Sequence, residues 1–68
     1  MKIFAERLKE LRKEKNLTQT DLADVLKIKQ QSYARYEADT SEPSYEMLVE
    51  IAKFFDVSTD YLLGIKEY

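Results

Sequence analysis

Cysteine and histidine are absent from this 68-residue chain, and glycine and proline occur once each, at Gly64 and Pro43. Without cysteine, neither a disulfide framework nor a thiolate metal site can form. The lack of histidine removes the Ser–His and Cys–His nucleophile pairs and the usual zinc ligands, and a single glycine cannot build a glycine-rich phosphate cradle. Most enzyme chemistry is thereby excluded, so no catalytic residue, metal or cofactor is expected, and no small-molecule ligand either. Carboxylates remain, but Asp21 and Asp24 sit three residues apart on a short amphipathic stretch and read as a solvated face. No apolar run approaches the roughly 20 residues of a membrane-spanning helix. The opening MKIFAERLKE is amphipathic and charged where a signal peptide would have an apolar block, so a cytoplasmic protein with no membrane partner is expected.

The length suits one domain over residues 1–68, able to bury only about 60% of its unfolded surface and so of modest stability. The formal net charge is −2, but it is unevenly spread. Residues 1–36 carry nine cations against five anions, a net of +4, while residues 37–68 carry two cations against eight anions, a net of −6. Such asymmetry suggests a basic face turned toward a polyanion and an acidic back.

In order, the chain reads as five helices with short connections and no strand signal, an all-α fold. Phe4, Leu8 and Leu11 recur at helical spacing over about residues 2–15, and Asn16 follows Lys13 and Lys15 as a left-handed stop. Thr18 has the position of an N-cap, with Asp21 completing a capping box ahead of the stripe Leu22, Ala23 and Leu26. Ile28 pins the next turn to the core between Lys27 and Lys29, and a third helix follows from residue 29 or 30 to 38. The segment ADTSEP is a loop, because Pro43 biases Glu42 toward extended backbone. Ser44 then caps a helix over 45–55 with the stripe Leu48, Ile51, Ala52 and Phe55. Val57 plugs the core, Ser58 caps a short helix over 59–63 that Gly64 ends, and the tail 65–68 has no assignment.

The third helix, within KQQSYARYE, has two dissimilar faces. At about 100° per residue, Tyr33, Tyr36 and Glu37 point one way and Gln31, Ala34, Arg35 and Ala38 the other, with Gln30 and Ser32 on the flanks. The outer face holds amides and a guanidinium without a large apolar group. Glutamine can pair bidentately with adenine, arginine with guanine, and alanine can touch a thymine methyl, which together make a vocabulary for reading DNA bases. The plainer alternative is a solvated helix face.

From FAERLKELRKEKNLTQTDLADVL through KQQSYARYE to EPSYEMLVEIAKFFDVSTDYLLG, nearly the whole chain resembles the Cro/repressor-type (XRE) helix-turn-helix family. The resemblance rests on Leu11 and Arg12, the LTQ of Leu17 to Gln19, Leu22 and Ala23, Tyr36 and Glu37, Pro43, Val57 and Leu62. It implies a compact five-helix, lambda-repressor-like domain with its motif at about 18–38, whose second motif helix enters the major groove of double-stranded DNA. Carried over, it makes Lys29, Gln30, Gln31 and Arg35 the base readers and Arg12, Gln19, Lys27, Ser32, Thr40 and Ser41 the phosphate contacts. It also brings Arg12 and Glu37 together as an ion pair that fixes the reading helix, and implies a homodimer through Tyr61, Leu63, Ile65 and Tyr68. Three departures stand out. Lys27 replaces a common glycine in the turn, Asp39 and Glu42 make the following loop acidic, and Tyr33 replaces Ile or Val, with its ring inward and its hydroxyl at the rim. The function implied is a sequence-specific transcriptional regulator, a repressor on a twofold operator. A protein-interaction module of the same fold, an antitoxin or anti-repressor partner, is the alternative, but it would be expected to show large apolar anchors on the third helix.

Overall fold

The computed structural model describes residues 2–67. Its helices are α1 (Lys2–Glu14), α2 (Gln19–Leu26), α3 (Gln30–Glu37), α4 (Tyr45–Phe55) and α5 (Thr59–Leu62), with no strand among the described residues. Each span lies within a residue or so of the one its caps and stripes predict. Tyr68, expected at a dimer interface, lies outside the described residues.

The helix starts follow from side-chain oxygens. Thr18 accepts from the Asp21 amide while the Asp21 carboxylate accepts from the Thr18 amide, and Ser44 and Ser58 accept from the Met47 and Tyr61 amides. The hydrogen bond from the Thr18 amide lowers the pKa of Asp21 below the ordinary carboxylate range. Each cap satisfies an amide that would otherwise have no partner in the helix.

The helix ends share one device. Asn16, Lys27, Asp39, Asp56 and Gly64 all take left-handed backbone, with φ of 58°, 59°, 61°, 55° and 82°. The residue after each donates its N–H to a carbonyl five positions back: Leu17 to Arg12, Ile28 to Ala23, Thr40 to Arg35, Val57 to Ala52 and Ile65 to Asp60. This reverses the chain within two residues and turns Leu17, Ile28 and Val57 back toward the interior, where all three are half-buried.

The helices pack α1 on α3 and α5, α2 on α3 and α4, and α4 on α5. Phe4 and Leu8 of α1, Leu22 and Ala23 of α2, Tyr33 of α3, Ile51, Ala52 and Phe55 of α4 and Leu62 of α5 make one buried cluster. Burying each large member contributes about 1.5–3 kcal/mol before chain entropy is subtracted. At Gly64 an added Cβ would lie 2.9 Å from Ile3 Cγ2, so glycine there serves both the positive φ and the close approach of α1. Among the described residues, no helix is long and apolar enough to cross a membrane.

The tail is tied down by a residue that carried no sequence signal. Arg7 donates from Nη1 to the carbonyls of Tyr61 and Lys66, the latter at 2.7 Å, and from Nη2 to the Glu67 carboxylate at 3.4 Å. Its guanidinium also lies 4.3 Å from the centre of the Tyr61 ring.

Candidate nucleic-acid interface

The capping box at Thr18 makes Gln19 the first residue of α2, and the left-handed Lys27 ends that helix and turns the chain into α3. Lys29 enters α3 in extended backbone with no side-chain cap of its own. Burial then sorts the α3 side chains. Tyr33 is fully buried and the Glu37 side chain nearly so, Tyr36, Ser32 and Ala34 are half-buried, and Gln30, Gln31 and Arg35 are exposed, as are Lys27 and Lys29. Tyr33 sets this rotation, because its ring fills the core and meets Tyr36 edge-on at 6.2 Å between centroids.

The Tyr33 hydroxyl differs from expectation. It is buried and donates to Glu37 Oε2 instead of standing at the rim, since a hydroxyl so far inside needs a partner and a carboxylate one helical turn on supplies it.

Glu37 is the hub beneath the exposed face, with only 4% of its side chain accessible. Arg12 approaches side-on, Nε to Oε2 at 2.6 Å and Nη2 to Oε1 at 3.0 Å, and its Nη1 donates to the Leu17 carbonyl at 2.8 Å. Gln19 Nε2 donates to Oε1 at 3.1 Å. Burial alone would raise the Glu37 carboxyl, but the hydrogen bonds from Arg12, Tyr33 and Gln19 outweigh it and hold the group below the ordinary carboxylate range. The same hydrogen bond to Glu37 raises Arg12 further, so the pair stays charged.

Two of the expected phosphate contacts are therefore engaged within the fold. Arg12, with 11% of its side chain exposed, joins α1 to α3 from inside, because the carboxylate beneath it is a stronger partner than solvent. Gln19 spans Glu37 on one side and Gln30 on the other, where Gln30 Nε2 donates to Gln19 Oε1 at 3.2 Å. That last contact joins residues 11 positions apart on different helices, and only the placement of α2 against α3 reveals it. Thr40 and Ser41 are exposed, and Thr40 closes the end of α3 through its amide, 3.0 Å from the Arg35 carbonyl.

At the opposite end, Ile65 is 70% exposed and Ile3 48% exposed, while Leu63 is half-buried. Tyr61 is half-buried against the core and lies beneath Arg7. The apolar surface there centres on the two isoleucines more than on the tyrosine.

Residues 8–62 match the profile of the helix-turn-helix family. Among similar curated proteins, the uncharacterised HTH-type transcriptional regulator YqaE of Bacillus subtilis is 48% identical over 61 residues, 90% of this chain and 53% of its own length. The cryptic phage CTXphi transcriptional repressor RstR of Vibrio cholerae is 44% identical over 59 residues, 87% of this chain and 53% of its own length. The HTH-type transcriptional activator BcrR of Enterococcus faecalis is 41% identical over 64 residues, 94% of this chain and 31% of its own length. The chain thus spans about half the length of the first two and less of the third.

Proposed function

This chain belongs to the helix-turn-helix family, and on that premise we propose that it binds double-stranded DNA with α3 in the major groove and regulates transcription. The observation that carries the reading is the sorting of α3: Tyr33 is fully buried while Gln30, Gln31 and Arg35 stand exposed. These side chains and Lys29 are the base readers, since amide and guanidinium match purine edges. Lys27, Ser32, Thr40, Ser41 and the outer N–H of Gln19 hold phosphates, helped by the first amides of α2, which no helix satisfies internally. The exposed large apolar residues Ile3, Val25, Tyr45 and Ile65 lie off α3, which favours nucleic acid over a protein partner at this face.

The regulator binds as a homodimer through Ile3, Tyr61, Leu63 and Ile65. Its two copies of α3 lie about 34 Å apart, on twofold-related half-sites on one side of the duplex. Repression is the sign we propose, as in the similar chain named a transcriptional repressor. Selection from a random duplex pool, followed by fluorescence anisotropy over a salt series, tests the reading. Gln30→Ala and Arg35→Ala should each cost about 1–3 kcal/mol on the selected sequence and much less on a scrambled one. Equal losses on both duplexes would mean that α3 is not the reader.

A further inference from the structure

Arg7 of α1 grips the segment that follows α5 as a fork. Its Nη1 donates to the carbonyls of Tyr61 and Lys66, its Nη2 donates to the Glu67 carboxylate at 3.4 Å, and the guanidinium lies over the Tyr61 ring. Only 15% of the Arg7 side chain is exposed. The backbone it grips is already turned by Gly64, beyond which the Ile65 and Lys66 amides both donate to the Asp60 carbonyl, at 2.9 and 3.3 Å. Ile65 is thus fixed on both sides, by its own amide and by the Lys66 carbonyl that follows it. Held so, it stays 70% exposed although Ile3, itself 48% exposed, packs at the adjoining Gly64. A tail without the fork would be free to fold Ile65 over Ile3, since that removes apolar surface from water at no cost in translational freedom. The fork forbids this fold and leaves both isoleucines outward.

The rim of the patch carries both signs: Lys2 and Glu6 near Ile3 on α1, and Lys66 and Glu67 beyond Ile65, all four exposed. Twofold pairing sets a surface against its own copy, so a rim of one sign would repel itself, whereas an apolar centre with balanced charge around it is self-complementary. We infer that Arg7 is a positioning residue for self-association, which keeps the tail from covering Ile3 so that a second copy of the chain covers it instead. The inference rests on the homodimer proposed above and adds what controls it. Arg7 itself touches neither the partner copy nor DNA.

The test uses two duplexes of equal length, one with both half-sites of the selected sequence and one with a single half-site beside a scrambled half. Fluorescence anisotropy at one low salt gives the ratio of the two affinities for each protein. Both affinities come from the same preparation, so the folded fraction cancels, and a purely structural role for Arg7 lowers both and leaves the ratio unmoved. The unsubstituted chain should favour the twofold duplex about tenfold or more. Arg7→Met releases the tail and should cut that ratio threefold or more. Arg7→Lys keeps the charge and one donor, but an ammonium cannot fork between two carbonyls and lie flat on a ring, so a threefold or greater cut is expected there too. Should Arg7→Met fail to fold, Arg7→Lys decides by the same criterion. A ratio within threefold of the unsubstituted chain overturns control by Arg7 alone. A ratio of one for the unsubstituted chain overturns the pairing, and the control with it.

Discussion

Arg12 in the last turn of α1 and Glu37 in the last turn of α3 meet side-on across 25 positions of sequence, Nε to Oε2 at 2.6 Å and Nη2 to Oε1 at 3.0 Å. The contact holds the start of the chain against the element that carries the exposed amides.

Breaking this pair from one side leaves a charge buried without its partner. Arg12→Met should therefore cost about 3–5 kcal/mol, close to the whole stability that a core of this size supplies. Replacing Arg12, Tyr33 and Glu37 together by Met, Phe and Leu should recover much of the loss, since no buried charge or hydroxyl is then left unmatched. Urea titrations followed by circular dichroism measure both. A fully stable Arg12→Met chain contradicts the structural role of the pair.

Stability should fall at both ends of the pH range. Burial, opposed and exceeded by hydrogen bonds from Arg12, Tyr33 and Gln19, leaves Glu37 with a lowered pKa. Its contribution is complete above the unfolded value of about 4.3 and drains as pH falls through the folded one. Burial, then the hydrogen bond to Glu37, raises the Tyr33 hydroxyl well above its ordinary range. That contribution is complete below about pH 10 and is lost as pH rises beyond it. Thermal melts across the range should show both limbs, and Tyr33→Phe should remove the alkaline one. Persistence of the alkaline fall in that variant would assign it to another group.

Among the described residues, Lys27 is the one left-handed helix stop that is neither glycine nor a short polar residue. Its conformation costs about 1–2 kcal/mol. Lys27→Gly should stabilise the chain by about 1 kcal/mol, a rise in melting temperature of roughly 4–8 °C. It should also weaken binding to selected and scrambled duplexes alike and flatten the salt dependence, because the lost ammonium acts through counterion release. An unchanged melting temperature would show that the turn is unstrained.

Ile65→Asp should separate the two copies while leaving each folded, because Ile65 is 70% exposed and lies outside the buried cluster. Sedimentation on a full twofold duplex should show two unsubstituted chains bound together. The variant should bind with about tenfold or greater loss, as one chain no longer recruits the next. A single unsubstituted chain per twofold duplex would rule out the pairing.

The helix starts and the core stripe were legible because their signals are local. Thr18, Ser44 and Ser58 each stand three residues before the amide they cap, and Leu48, Ile51, Ala52 and Phe55 repeat at the helical period. Asn16 and Gly64 read as stops, but Asp39 and Asp56 did not, since an aspartate fits a solvated face as well as a left-handed turn. The Gln19–Gln30 contact and the Arg7 clamp join side chains from different elements, so neither leaves a periodic trace. The helical phase of Tyr33 turns its ring inward, yet the partner of its hydroxyl depends on the depth of Glu37, which periodicity does not report.

The five helix stops also bear on how the chain reaches its fold. Each closes over six residues of sequence, so much of the ordering consists of short loop closures and the contact order is low. Folding of such a chain takes about microseconds to milliseconds. Reclosing at that speed outruns a protease, so turnover follows the equilibrium fraction of opened molecules and not the height of an unfolding barrier. Cellular abundance then becomes sensitive to a free-energy change as small as the one held in a single lysine turn.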